Sequence, residues 1–271
     1  MRIQFIFALM FLCAAQGVSQ ESDASARADY ARPETVTAGL TVLRGSVSTQ
    51  FGAFHFVALK IKKDTHSLNV ASAATGYGSG SYGNGGYGSA RVQTLFGFKE
   101  DARAHAVLSG GFMTTIYPPV PLGLITHNGK EVNRSASTEL LDGIVTSEGN
   151  RLEIRRFTDS TDCLADCLQA GPLLVGDKRV TLRDNYTDSG IEGSYRRAFV
   201  ATLPDGYFML GIASGAKLRA LATFLAAPVD RGGLGCLDAL NLSGSTSAGM
   251  LWDGGSDGDT KFPIASALVV R

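Results

Sequence analysis

Short apolar runs that alternate with polar residues recur along most of this chain, and this pattern is typical of β-strands. Glycine, proline and other turn residues separate most of the runs from one another. The predicted strands cover residues 40–43, 54–61, 68–71, 104–108, 123–127, 151–157, 173–175, 199–202 and 206–212, and a closing strand surrounds Val269.

Two helices are predicted among these strands. Residues 217–227 place Leu218, Leu221 and Leu225 at spacings of three and four, which predicts an amphipathic helix. A second helix opens over residues 92–98. No internal repeat and no clear linker divides the chain after its N-terminal part. The prediction is therefore one α+β domain of mixed, mostly antiparallel sheets with a few helices.

The N-terminal residues have the pattern of a secretory signal peptide. Arg2 precedes an apolar run that is too short to span a bilayer, and small residues follow it. We expect a signal peptide over residues 1–19, a flexible lead-in over 20–35 and the domain over 36–271. The protein is then periplasmic or secreted. After signal removal no other segment is long and apolar enough to predict a membrane span.

The composition gives no indication of a nucleic-acid or membrane partner, of a metal or of a cofactor. The 25 basic and 25 acidic residues balance, so nothing predicts binding to nucleic acid or to an anionic membrane surface. The four histidines are dispersed, and residues 253–259 resemble a hairpin turn more than a calcium loop. We predict no metal and no cofactor. The Gly/Tyr-rich residues 76–88 predict a mobile insertion.

Three cysteines remain after signal removal, namely Cys163, Cys167 and Cys236. An oxidising compartment favours one disulfide and one free thiol. Cys163 and Cys167 are close enough in sequence to pair locally, whereas a Cys167–Cys236 bond would join two remote segments. We favour the Cys167–Cys236 pair because each of its cysteines precedes a ligand-type loop, and the sequence leaves both pairings open.

Four segments carry the candidate chemistry: residues 107–113, 167–175, 195–202 and 234–247. Most of them are apolar strands that lead into glycine and short polar residues, a form that brings backbone N–H groups close to a ligand. Their candidate residues are Ser109, Gly110, Gly111, Gln169, Gly171, Arg196, Arg197, Asp238, Asn241, Ser243, Gly244 and Ser247.

Taken in order, the four segments resemble the motifs of the phosphodiester glycosidase family, which includes exopolysaccharide-associated bacterial proteins and the mammalian enzyme that uncovers mannose 6-phosphate. The similarity runs from about Ala104 to the C-terminus. It implies a hydrolase that cleaves a sugar-1-phosphodiester or a related exopolysaccharide linkage. It also implies a carbohydrate or sugar-phosphate ligand. Arg196 or Arg197 then supplies a cation for the phosphate, and Asp238 is a retained carboxyl group.

Two positions depart from the family pattern. Ser109 stands where the family has asparagine, and Ser243 stands where it has aspartate. A serine hydroxyl carries no charge at neutral pH and cannot replace a carboxylate base. The alternative to a hydrolase is a non-catalytic glycan- or envelope-binding member of the same fold. Catalysis requires two carboxyl groups about 5 to 9.5 Å apart in the cleft where the motif residues converge.

Overall fold

A computed structural model describes residues 25–73, 92–158, 163–182 and 192–271. Its strands are β1 (Arg27–Tyr30), β2 (Glu34–Thr37), β3 (Leu40–Thr49), β4 (Gly52–Lys62), β5 (Leu68–Ser72), β6 (Ala106–Ser109), β7 (Met113–Ile116), β8 (Pro119–Pro121), β9 (Ile125–His127), β10 (Lys130–Asn133), β11 (Gly143–Glu148), β12 (Arg151–Arg156), β13 (Asp166–Ala170), β14 (Leu173–Gly176), β15 (Arg179–Val180), β16 (Tyr195–Thr202), β17 (Tyr207–Ala216), β18 (Asp238–Gly244), β19 (Gly249–Trp252), β20 (Gly255–Gly258) and β21 (Ser266–Val270). The helices are α1 (Leu95–Ala102) and α2 (Leu218–Ala226), and short 3-10 turns cover Val229–Arg231 and Ser245–Ser247.

The strands form one large sheet, two smaller sheets and a two-stranded ribbon. The large sheet follows the order β1-β3-β4-β17-β16-β18-β14-β15, with β2 paired to β3. The second sheet has the order β10-β9-β13-β11-β12, the third has β20-β19-β6-β21-β5, and the ribbon joins β7 to β8. The pairs between the described strands are antiparallel. The predicted α+β class with mostly antiparallel sheets is confirmed.

The core lies in three layers. One face of the large sheet packs against the second and third sheets through a continuous apolar cluster that includes Leu59, Leu108, Leu168 and Leu240. Helix α2 covers the opposite face of the large sheet, and α1 covers the outer face of the third sheet. The fold therefore brings the ends of β6 and β18, from two different sheets, to one place.

The predicted elements match the structure closely. Helix α2 occupies the predicted region, but eight of its nine residues are buried, with Arg219 as the exception. Burial on nearly every side requires the apolar alanines between the leucines as well as the leucine stripe. No helix in the described ranges is long and apolar enough to cross a membrane.

The N-terminal part of the described chain differs from the prediction. The flexible lead-in over residues 20–35 is wrong from residue 27 onward, because β1 and β2 both pair with β3 in this region. These paired strands extend the edge of the large sheet. The predicted signal peptide and the Gly/Tyr-rich residues 76–88 lie outside the described residues.

The favoured Cys167–Cys236 disulfide is wrong. Cys167 is bonded to Cys163, the local alternative. Cys236 is a buried free thiol in the cluster under α2, where its N–H donates to Leu225 O at 2.8 Å. Cys167 instead lies on β13 of the second sheet, so the large sheet separates the two cysteines. Burial raises the pKa of the Cys236 thiol, which keeps it protonated.

Candidate ligand site at the meeting strand ends

Two serines join the ends of β6 and β18. Ser243 Oγ donates a hydrogen bond to Ser109 Oγ at 2.7 Å, and Gly249 N–H donates to Ser109 Oγ at 3.1 Å. Both serines are buried, with 0% and 2% exposure for Ser109 and Ser243. Their partners in the described chain are hydroxyl and backbone groups, with no carboxylate. We call these two residues the serine pair.

The glycines after Ser109 hold the neighbouring backbones together. Ser243 N–H donates to Gly110 O at 2.9 Å, and Gly110 N–H donates to Ser266 O at 2.9 Å. A side chain at Gly110 would meet Ser266 Oγ at 2.4 Å, so this close approach requires glycine. Gly111 N–H donates to Ser266 Oγ at 3.2 Å. The predicted binding residues Ser109, Gly110, Gly111 and Ser243 therefore form one contiguous unit.

Gln169 and Asn241 are structural in the observed conformation. Gln169 is fully buried, and its amide donates to Ala136 O and Leu141 O at 2.8 and 3.0 Å. Its side-chain oxygen accepts from the N–H groups of Leu124 and Ala136. Asn241 donates to Gly171 O at 2.7 Å. Three residues of the predicted set thus hold neighbouring backbone segments by hydrogen bonds, namely Gln169, Gly171 and Asn241.

Beyond the serine pair, the chain turns outward to solvent. Ser247 Oγ donates to Gly244 O at 2.8 Å, and this bond closes the 3-10 turn Ser245–Ser247. Ser245 and Thr246 are exposed, while Gly244 and Ser247 are partly exposed. The turn is consequently the part of the fourth motif that a ligand in solution can reach.

The two adjacent arginines of the third motif have opposite roles. Arg197 is buried, and its guanidinium donates to Ala216 O at 3.4 Å and Gly193 O at 3.0 Å. The ring of Tyr195 lies 5.0 Å from its Cζ. Burial lowers the pKa of Arg197 to about 10. Its donors are committed to the protein, so Arg197 organises the loop before β16.

Arg196 has a donor that the described residues do not satisfy. It is only partly exposed, and its buried Nε has no hydrogen-bond partner among the described residues. An unpaired buried N–H of a guanidinium is costly, and an anionic ligand would satisfy it. Because neighbouring strand residues point to opposite faces, Arg196 projects away from Arg197, toward the space between the large and third sheets.

A carboxyl group on the third sheet interacts electrostatically with Arg196. Asp257 lies on β20, and its pKa is raised chiefly by burial, while the charges of Arg196 and Arg44 act to lower it. Arg44 ion-pairs with Glu34 at 2.9 Å, and its Cζ lies 5.6 Å from the centre of the Trp252 ring. This arrangement was not predicted, since residues 253–259 indicated only a hairpin turn. That turn is present between β19 and β20.

Asp238, the retained carboxyl group, lies away from the serine pair. It begins β18, whereas Ser243 lies five residues further along the same strand. At a rise of about 3.3 Å per residue, roughly 16 Å of extended backbone separates them. The Asp238 carboxylate instead accepts hydrogen bonds from the Thr202 hydroxyl at 3.1 Å and Asp177 N–H at 3.2 Å. The structure therefore does not bring Asp238 to the serine pair or to the glycines beside it.

A buried acid that sequence reasoning missed is Asp166, on β13. Its carboxylate accepts from the N–H groups of Val70 and Asn128 at 2.9 and 2.8 Å and lies 3.3 Å from His127 Nδ1. The His127 ring nitrogen also donates to Val70 O at 2.8 Å. These bonds join the second and third sheets, so Asp166 is structural. In the described residues no group of three acids, histidines or cysteines has a metal-binding arrangement.

The fold and the ordered motifs define a glycosidase-like domain. A family model described as phosphodiester glycosidase matches residues 102–271, which is more than half of the sequence. The chain therefore belongs to the phosphodiester glycosidase family, and the predicted family is confirmed. No curated protein matches the chain in sequence.

Solved structures share the fold at low sequence identity. A hypothetical protein from Synechocystis has a TM-score of 0.61 and 15% identity, and the match covers 89% of this chain and 63% of that protein. The zebrafish N-acetylglucosamine-1-phosphodiester alpha-N-acetylglucosaminidase catalytic domain, auto-inhibited by its pro-peptide, has a TM-score of 0.64 and 13% identity, with 91% and 88% covered. A putative exported protein from Burkholderia pseudomallei has a TM-score of 0.53 and 14% identity, with 80% and 74% covered. These similarities concern the fold.

Proposed function

We propose that this protein binds a sugar phosphodiester or a related anionic glycan at the meeting strand ends and does not cleave it. The observation that carries the proposal is the serine pair. The motif resemblance matches Ser109 and Ser243 to the asparagine and the aspartate of the family, and their buried hydroxyls bond to each other. The chemistry available at this point is hydrogen bonding without charge.

Glycoside cleavage normally needs two carboxyl groups about 5 to 9.5 Å apart, one as an acid and one as a base or nucleophile. The serine pair contributes neither of them. Asp238 lies at the other end of β18, where its carboxylate accepts hydrogen bonds from Thr202 and Asp177. A ligand at the exposed turn Ser245–Ser247 would meet hydroxyls and backbone groups, which suit sugar recognition.

Arg196 supports an anionic ligand. Its guanidinium has a buried Nε without a partner in the described chain. A phosphodiester carries one negative charge and oxygens that match the fork of N–H groups on arginine. Of the two adjacent arginines, Arg196 is thus assigned to the ligand and Arg197 to the scaffold.

One observation favours hydrolysis as a second candidate function. The charge of Arg196 acts on Asp257, and burial raises the pKa of the Asp257 carboxyl group, which is the condition a general acid needs. A phosphodiester is already a good leaving group, so one acid would contribute less here than in an ordinary glycosidase. The two candidates differ in whether a sugar-1-phosphodiester is cleaved or only held.

Replacing Arg196 with glutamine is expected to weaken binding of the ligand at least about tenfold, because charge-assisted hydrogen bonds contribute about 1.5–3 kcal/mol. Isothermal titration calorimetry with methyl phosphodiesters of glucose, galactose and N-acetylglucosamine measures this. Arg27→Gln, an exposed arginine on β1, is the matched control and should leave affinity unchanged. Equal affinities for both variants would contradict the assignment of Arg196.

We also propose a periplasmic or secreted location. The signal-peptide pattern of residues 1–19 supports it, and so does the Cys163–Cys167 disulfide, since such bonds persist in oxidising compartments.

A further inference from the structure

A separate polar cavity lies at the Asp238 end of β18. Its volume is about 530 Å³, within the usual range for small-ligand sites. Strand β12 of the second sheet forms one wall, and the ends of β14, β16 and β18 of the large sheet form the other. The cavity lies far from the serine pair, because the two occupy opposite ends of β18. We call it the Lys63 cavity.

One side of the Lys63 cavity holds a carboxylate in a fixed orientation. Asp238 Oδ2 accepts from the Thr202 hydroxyl at 3.1 Å, and Oδ1 accepts from Asp177 N–H at 3.2 Å. Each carboxylate oxygen accepts up to two hydrogen bonds, so both retain acceptor capacity. Two neighbouring hydroxyls of a sugar ring can donate to such a carboxylate.

Lys63 supplies an ammonium group to the lining of the same cavity. Lys63 follows β4 directly and is partly buried, and none of the described residues forms a hydrogen bond or ion pair with its side chain. Burial lowers the pKa of Lys63, and the charge of Asp238 opposes this effect. Lys63 and Asp238 therefore line the same cavity and interact electrostatically without forming an ion pair.

The remaining walls combine charge with apolar surface. Arg155 and Glu153 of β12 line the cavity, together with the apolar side chains of Leu152, Leu173 and Leu237. Apolar surface suits the C–H face of a pyranose ring, and the cations suit a carboxylate substituent. We propose that the Lys63 cavity binds a sugar unit that carries a carboxylate, that is, a uronic acid, with Lys63 on the carboxylate and Asp238 on the hydroxyls. This second glycan site goes beyond the proposed function and does not depend on it.

Calorimetric titration of the full-length mature protein with glucuronate, galacturonate and glucose tests the proposal. We expect a uronate to bind in the millimolar range or tighter and glucose at least about tenfold more weakly. Lys63→Gln should reduce uronate affinity at least about tenfold and largely remove the preference over glucose. Asp238→Asn should weaken both sugars, because its amide nitrogen cannot accept from a hydroxyl.

Lys62→Gln is the matched control, because the adjacent Lys62 pairs with Asp64 at 2.7 Å and does not line the cavity. It should leave uronate affinity unchanged, as should Arg196→Gln at the other site. A second readout is acetylation of Lys63 at pH 8, followed by mass spectrometry, which uronate should slow and glucose should not. The proposal is overturned if neither uronate binds more tightly than about 10 mM, or if Lys62→Gln and Lys63→Gln weaken binding equally.

Discussion

Asp166→Ala is expected to destabilise the protein by about 3–5 kcal/mol, the usual cost of breaking a buried charged pair. The carboxylate is 1% exposed and accepts from two backbone N–H groups, those of Val70 and Asn128. Alanine would leave these two backbone donors without their acceptor and would remove the carboxylate beside the His127 ring, at the junction of two sheets. Urea unfolding followed by circular dichroism measures the loss. Asp205→Ala is the control, because Asp205 forms an exposed pair with Lys60 and should cost less than about 1 kcal/mol.

The Asp166–His127 pair also predicts how stability depends on pH. Burial acts to raise the pKa of Asp166, but hydrogen bonds from His127, Asn128 and Val70 outweigh it, so this pKa lies below its ordinary value. The hydrogen bond to Asp166 raises the pKa of His127. The Asp166 contribution is present above its unfolded pKa and is lost as pH falls through the folded value. The His127 contribution is present below its unfolded pKa and is lost as pH rises through the folded value. Both contributions to the free energy of unfolding are fully present between about pH 4 and 6.5.

Unfolding free energies measured from pH 2 to 9 test this dependence. The wild type should lose stability on both sides of that window, and Asp166→Ala should remove most of the dependence that the pair causes. A variant that keeps the wild-type profile while losing stability would contradict the role of the pair in the pH response.

Gly171→Ala is expected to cost about 3 kcal/mol or more, because the new Cβ would lie 1.8 Å from Leu140 O. That oxygen is backbone, so relief requires the segment at Leu140 to move. The next residue, Leu141, accepts a hydrogen bond from the buried Gln169 amide, and Asn241 donates to Gly171 O. The damage should therefore reach the support beneath the strand ends and lower both the unfolding midpoint and ligand affinity.

The control for this prediction is Gly206→Asn. Gly206 has a φ of 78°, which asparagine tolerates better than most residues, and nothing lies within 4 Å of its Cβ position. We expect a change within about 1 kcal/mol. Comparable losses in Gly171→Ala and Gly206→Asn would show that the contact with Leu140 does not determine the cost.

The periodic parts of the sequence predicted the fold well. The runs that became β3, β4 and β17 alternate because one face meets the second and third sheets and the other meets α2. The lead-in failed because β1 is a short edge strand whose four residues RADY carry little apolar pattern. The choice between two disulfides also failed, since it depends on which sheet each cysteine joins, and that is a tertiary property.

The candidate site was predictable in part. The motifs located Ser109, Gly110, Gly111 and Ser243, which are contiguous in the structure. Sequence could not separate Arg196 from Arg197, because that distinction depends on which face of β16 turns toward the third sheet. Asp238 was expected at the site from its motif, but the length of β18 carries it to the opposite end.

Release of free sugar from a sugar-1-phosphodiester tests most directly the claim that this family member binds without cleavage. Wild-type protein should release no more sugar than the Ser243→Ala variant, while calorimetry shows that it binds the compound. The double variant Ser109→Asn/Ser243→Asp, which restores the family residues, should release sugar above that background. Release by the wild type that Arg196→Gln abolishes and Ser243→Ala reduces would contradict the account.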